Sequence, residues 1–372
     1  MIERVLSKKL KDKVDFKKAI VLLGPRQAGK TTLITQLAKE SGIDFLYING
    51  DDPAIRLAWN NPPYSFIQQN IGTYKMVIFD EAQRLENIGL SAKLILDADR
   101  GVQLILSGSS ALEIAKRLNE PLTGRKWEYR LFPLSWEEVC NHFTFAKAII
   151  RLESFLIYGL YPDVVVHPEN AREILTNLAG SYLYKDLLET GGIRRPDLLL
   201  RLLQAIAWEV GNEVSYSELA QATSADKATI SSYIDLLEKA FVIFRLNPYS
   251  RNLRNEITTS RKIYFYDNGV RNSIINNFAP LQERNDVGAL WENFIICEQK
   301  KKRAYQGFFG NAYFWRSNQA GVDYLEEQDG KVAAYEIKWN PKAKVKFPKS
   351  FTESYRPDTE RVIHRENFWE LI

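Results

Sequence analysis

Five consecutive apolar residues, Ala19-Ile20-Val21-Leu22-Leu23, form the first sharp feature of the hydrophobic pattern. A run this short and uninterrupted predicts a strand buried on both faces, as in a parallel sheet. Similar runs recur at Phe45–Ile48, Met76–Phe79 and Leu104–Leu106. Between them lie stretches of helical spacing near Thr31–Ser41, Ala54–Gln69 and Ile88–Asp99, the second broken by Pro62-Pro63. Strands alternating with helices predict an α/β unit.

From about Leu131 to Thr190 the pattern turns helical, with Trp136 to Phe143, Leu152 to Tyr158 and Ala171 to Leu188 set between Pro133, Pro162 and Pro168. Asp197 to Val210 is apolar at helical spacing, and Ser217 is the expected cap of a short helix through Ala222. Lys227 to Ala240 carries Ile230, Ile234 and Leu237 on one face. Two β-like runs follow, Phe241–Leu246 and Lys262–Tyr266. Three helices and a hairpin in that order predict a winged helix-turn-helix. From about Asn285 there is one helix, then strands near Tyr313–Trp315, Val322–Leu325 and Val332–Lys338, a second α/β unit.

The 372 residues exceed one ordinary core, and 45% apolar with 26% charged residues marks a globular chain. Cys140 and Cys297 stand far apart, so neither a disulfide framework nor a cysteine zinc site is offered. No apolar run approaches the ~18 residues of a membrane span. The opening MIERVLSKKLKDK lacks the apolar centre of a secretory signal, so the expectation is a cytoplasmic protein. A net charge of +4 says little about nucleic acid, but the surplus is local. Lys300 to Arg303 and the series Lys342, Lys344, Lys346 and Lys349 lie in the last quarter of the chain.

The first apolar run ends in Gly24-Pro25-Arg26-Gln27-Ala28-Gly29-Lys30-Thr31, followed by Thr32. This is a complete Gly-x-x-x-x-Gly-Lys-Thr phosphate loop between a predicted strand and a predicted helix. A triphosphate needs backbone N–H groups close to its oxygens, a lysine on its β- and γ-phosphates, and a hydroxyl on its magnesium ion. The helix N-terminus adds its positive dipole end. The third strand ends in Asp80-Glu81. Asp80 is placed to hold magnesium with Thr31, and Glu81 to orient the attacking water as base. After the fourth strand, Ser107 or Ser109 can touch the γ-phosphate or that water. Arg26 and Arg125 are the candidates for a transition-state arginine, in cis or from a neighbouring subunit, which leaves a homo-oligomer open. A glutamate base, and the lack of a guanine-reading Asn-Lys-x-Asp run, point to ATP with Mg²⁺.

The stretches GPRQAGKTTL, VIFDEAQ, LILSGSSA, LTGRKWEYRLFPLSWEE and GLYPDVV resemble the AAA-type domain of a large prokaryotic family of ATPases. SYLYKDLLE, KIYFYDNGVRNSI, GALWENFI and YFWRSNQAGVDYL with YEIKW resemble the C-terminal domain of that family, a domain of unknown function. The resemblance implies a phosphate-loop ATPase domain over 1–130, a helical lid over 131–195, a winged helix over 196–284, and a PD-(D/E)-x-K nuclease-like α/β domain over 285–372. Nucleases of that class hold metal between two carboxylates on neighbouring strands, with a lysine beside the second. Here these are Asp323, Glu336 and Lys338, and alternation puts Glu336 and Lys338 on one strand face. Glu292 matches a further acid of the metal site. Gly321 stands where relatives often carry another acid.

As a DNA reader, the winged helix has a poorly matched recognition helix, where Asp226, Asp235 and Glu238 offset Lys227 and Lys239. The hairpin is better suited to phosphate, with Arg245, Arg251, Arg254, Arg261 and Lys262. The resulting expectation is an ATPase acting on DNA, with metal-dependent cleavage as an extension. The rival is a signal-transducing switch whose nuclease-like fold is inactive and serves binding.

Overall fold

The computed structural model describes residues 2–14, 17–98, 100–109, 117–118, 120–183, 193, 195–250, 261–317 and 320–372, the side chains of 181–183 excepted. Arg251 and Arg254 lie outside the described residues. The chain divides into two compact units, one of residues 1–134 with 239–241, the other of 135–238 with 242–372.

In the first unit three of the uninterrupted apolar runs become the interior strands of a parallel sheet, while the Phe45–Ile48 run, expected to be buried on both faces, becomes a half-exposed edge strand. The strands of this sheet are β1 (Ala19–Leu23), β2 (Phe45–Asn49), β3 (Met76–Asp80), β4 (Gln103–Gly108) and β5 (Lys126–Arg130), in the order β2-β3-β4-β1-β5. Every residue of β1, β3 and β4 is buried. Helices Lys30–Ser41, Pro53–Trp59, Tyr64–Ile71 and Ile88–Asp97 form the crossovers. The Pro62-Pro63 break falls between the second and third, as the pattern predicts. Strand β5 was not among the expected strands. Its Lys-Trp-Glu-Tyr-Arg sequence is charged and half exposed, as an edge strand tolerates. Because all five strands run one way, the residues after β1, β3 and β4 share one edge, where α/β sheets take their ligands.

The second unit begins with helix Trp136–Phe143, whose N-terminus is closed by a reciprocal Ser135–Glu138 capping box. Further on come helix Pro196–Trp208, strand β6 (Glu213–Val214), helices Tyr216–Thr223 and Lys227–Lys239, and strands β7 (Ile243–Pro248) and β8 (Arg261–Phe265). The long helix Val287–Gln306 precedes β9 (Asn311–Ser317), β10 (Ala320–Gln328), β11 (Lys331–Ile337) and β12 (Thr359–Ile363). The seven strands form one sheet, ordered β12-β11-β10-β9-β7-β8-β6. Parallel pairing of Asn247 with Tyr313 and Pro248 with Phe314 joins the hairpin to the C-terminal strands. The β9–β10 register shifts between Val322 and Leu325, a bulge that contains Asp323. Such bulges re-aim side chains. Among the described residues, no helix is long and apolar enough to cross a membrane.

Candidate functional site

The phosphate loop leaves β1 through Gly24, whose N–H donates to the Gly108 carbonyl at 3.3 Å. A Cβ at Gly24 would lie 2.0 Å from the Leu131 carbonyl oxygen, so the chain passes there only as glycine. Gly29, at φ +92°, turns the backbone into helix Lys30–Ser41 in a conformation that favours glycine. The buried Lys30 ammonium donates to the Gly24 and Pro25 carbonyls at 2.9 and 2.8 Å, so it lies inside the loop. Arg4, itself buried, braces the loop by donating to the Ala28 and Phe132 carbonyls at 2.5 and 2.7 Å.

Asp80, at the tip of β3, is the hub. Its Oδ2 accepts from the Thr31 hydroxyl and the Tyr47 hydroxyl, both at 2.6 Å. Its Oδ1 accepts from the Ser107 hydroxyl and, at 3.1 Å, from the Glu81 N–H. Thr31 and Asp80, the two expected magnesium ligands, therefore touch. Burial and the bond to Asp80 push the Tyr47 phenol well above its ordinary range. Glu81 adopts φ +47°, a strained turn for a non-glycine residue and one found at functional sites. Its Oε2 accepts from the Gln83 amide at 2.5 Å and from the Ser109 hydroxyl at 3.3 Å, and Gln83 also donates to Ser109 at 3.0 Å.

The two candidate serines thus separate by role: Ser107 holds Asp80, and Ser109 holds Glu81. Sequence reasoning missed Tyr47, Gln83 and Arg4. Arg26 sits in the loop. Arg125 does not approach it within this chain. Its carbonyl accepts from Ala19 N–H at 2.9 Å, at the start of β1, and its guanidinium pairs with Asp97. It therefore marks the sheet edge opposite the loop.

In the second unit, the predicted acids and lysine do converge. The Lys338 ammonium lies 2.7 Å from Asp323 Oδ2 and 2.8 Å from Glu336 Oε2. The Ile337 N–H donates to the same Asp323 oxygen at 2.9 Å. Burial, then the Asp323 carboxylate, push the Glu336 carboxyl up to about 7. Burial opposes ionisation of Asp323, but Lys262 and Lys338 outweigh it and hold its carboxyl below the ordinary value. Glu292 belongs to the cluster too, and burial raises it against the pull of Lys262.

The residues present do not fit a divalent ion. The Lys262 ammonium stands 2.8 Å from Glu292 and 3.8 Å from Asp323. Among the described residues, no group of three or more His, Cys, Asp or Glu is arranged to hold a metal. Lys262 was expected in the hairpin as a phosphate contact, but packing of helix Val287–Gln306 against β8 turns it inward, where it is buried. Arg245 is likewise engaged, by Glu238 and by Asp235 at 2.8 Å, and donates to the Tyr216 hydroxyl at 2.8 Å. Arg261 lies over the Tyr216 ring, 5.2 Å from its centroid.

Residues 16–140 match the profile of an AAA domain, and residues 150–281 and 287–368 match two domains of unknown function, DUF8612 and DUF4143. The first unit thus carries an AAA-type phosphate-loop ATPase domain. The chain is similar to an uncharacterized protein of Mycobacterium tuberculosis, 27% identical over 329 residues, 86% of this chain and 70% of the relative. A second uncharacterized relative, from Methanocaldococcus jannaschii, is 24% identical over 343 residues, 87% of this chain and 75% of its own. Among solved structures, the Thermotoga maritima RuvB Holliday junction branch migration motor aligns over 75% of this chain and 96% of its own. Its identity is 16% and its TM-score 0.34.

Proposed function

We propose that this protein hydrolyses ATP and acts on DNA. The observation that carries the ATP reading is the contact of Thr31 with Asp80 beside a lysine-filled glycine loop. When bound, Mg²⁺ neutralises the β- and γ-phosphate oxygens, and Thr31 and Asp80 are the residues that would hold it. Lys30 exchanges its loop carbonyls for phosphate oxygens. Glu81 accepts the proton of the attacking water, while Gln83 and Ser109 orient its carboxylate. Lys30→Ala is expected to lower turnover by about 10²- to 10³-fold and to weaken ATP binding, read by a phosphate-release assay and calorimetry. If heat and turnover stay at wild-type levels, the ATP reading fails. Tyr47→Phe and Ser107→Ala loosen the residue that would hold the metal. Each is expected to raise the Mg²⁺ concentration for half-maximal turnover by roughly 10-fold or more.

The DNA reading rests on two supports. The order of three helices and a hairpin in residues 196–265 matches a winged helix. Exposed Lys342, Lys344, Lys346 and Lys349 follow β11 directly and offer a row of charges to phosphates. With Arg245 and Lys262 engaged internally, this row is the phosphate contact we favour. Replacing its four lysines with Gln is expected to weaken duplex binding at every sequence. The slope of log affinity against log salt should fall by about 3 to 4. An unchanged slope in a titration from low to high salt removes this surface from the model of binding.

In this reading the 131–195, 196–284 and 285–372 segments are lid, winged helix and nuclease-like fold, and the last serves binding. Arg125, at the far sheet edge, would reach a triphosphate only in a neighbouring copy, so an active oligomer follows if it supplies the transition-state charge, whereas Arg26, within the loop, would supply it in cis.

A further inference from the structure

The acidic cluster of the second unit already contains a cation. Lys262 comes from β8, Glu292 from helix Val287–Gln306, Asp323 from the β10 bulge, Glu336 from β11, and Lys338 from just past its end. Their charges alternate through space: Glu292, Lys262, Asp323, Lys338, Glu336. We propose that the Lys262 ammonium occupies the position of a divalent cation between Glu292 and Asp323 and keeps a latent metal site closed.

The distances make the two cations mutually exclusive. A hard divalent ion shared by these carboxylates sits about 2.0–2.6 Å from their oxygens. The Lys262 ammonium, 2.8 Å from one carboxylate and 3.8 Å from the other, takes up the space between them that such an ion would need. Both oxygens of Asp323 are in use, Oδ1 facing Lys262 and Oδ2 held by Lys338 and the Ile337 N–H. Glu292 has its Oε1 taken by Lys262 and by the Tyr264 hydroxyl at 2.6 Å.

Lys262 is built into place. It is 7% exposed, and Tyr264, two residues along the same strand face, meets the same carboxylate oxygen. The next helix residue, Asn293, accepts from the Phe265 N–H at 2.8 Å and donates to the Phe265 carbonyl at 3.1 Å. The helix and β8 are thereby fixed in one register, with the ammonium directed between the acids. Since the lysine belongs to the hairpin and the acids to other elements, the seating of β8 decides whether the carboxylates are available.

The inference does not depend on ATP binding, and its test uses none. Mn²⁺ is titrated into nucleotide-free, full-length protein and followed by electron paramagnetic resonance. All samples carry Asp80→Asn, so that the phosphate-loop region contributes no ion. With Lys262 intact, no tightly bound Mn²⁺ is expected. Lys262→Gln is expected to bind one Mn²⁺, roughly 10-fold tighter or more than its parent, and to lose it when Asp323→Asn is added. Circular dichroism and thermal melting establish the fold of each variant, and Lys262→Met replaces Lys262→Gln if the latter does not fold. If neither folds alone, Mn²⁺ is expected to restore the melting transition, and its failure to do so overturns the proposal. A bound Mn²⁺ in the Lys262 protein that Asp323→Asn removes overturns it as well. So does a folded Lys262 variant that binds none.

Discussion

Glu81→Gln is expected to lower ATP turnover by about 10²- to 10⁴-fold, the usual contribution of a positioned base, while leaving ATP binding close to wild type. The substitution keeps the volume and the possibility of bonds to Gln83 and Ser109, but removes the proton acceptor. It does not touch Asp80, Thr31 or Lys30, which carry the binding contacts. Single-turnover hydrolysis and calorimetry on the same sample separate the two quantities. Equal loss of both would mean that Glu81 supports the loop and performs no proton transfer. Turnover within a factor of a few of wild type would move the base elsewhere.

The largest expected effect on stability lies in the second unit, on the helix that also carries Glu292. Lys301 and Glu298 form an ion pair at 2.6 Å with both side chains 2% exposed. The second oxygen of Glu298 accepts from the Trp136 N–H at 2.6 Å, so the acid also ties helix Trp136–Phe143 to helix Val287–Gln306. Lys301→Met leaves that carboxylate buried without its counter-charge. The expected cost is about 3–5 kcal/mol, because a half-removed buried pair strands its partner's desolvation penalty. In a unit of this size the melting temperature should fall by roughly 10 °C. Adding Glu298→Gln is expected to recover much of the loss, since the amide oxygen still accepts from Trp136 and no charge remains. Thermal melts and urea titrations of the single and double variants check this. A double variant no better than Lys301→Met alone would show that packing, not charge, dominates.

Local features were the most legible part of the chain. The uninterrupted runs predicted β1, β3 and β4 because strands buried on both faces admit little else, and predicted β2 although it lies half-exposed at the sheet edge. The hairpin and the strands β9 to β11 were also readable, from alternation and turn spacing. Strands β5 and β12 escaped because their half-exposed, charged sequences, Lys-Trp-Glu-Tyr-Arg and Thr-Glu-Arg-Val-Ile, carry no core signal. The phosphate loop and the Asp80-Glu81 tip were found from spacing alone. The residues that orient them were not. Tyr47, Ser107 and Thr31 reach Asp80 from 33, 27 and 49 residues away, and only the strand order makes them neighbours.

Two residues show the limit of pattern reading. Arg125 follows a glycine turn and reads as a candidate transition-state arginine or a surface salt bridge, and pairing of β5 with β1 sets it beside the beginning of β1, where it pairs with Asp97. Lys262 reads as one more base of a basic wing. Alternation predicts that it shares a face with Tyr264, but not which face is inward, and packing of helix Val287–Gln306 against β8 makes it this one. The amino-acid order by itself therefore determined the strands with a core signal, the glycine-bent cradle and the candidate acids, because each is marked by residues close together in the chain. The tertiary structure decided which charges are left for a ligand, because ionic partners are chosen by proximity in space and by burial, and neither is a property of position along the chain.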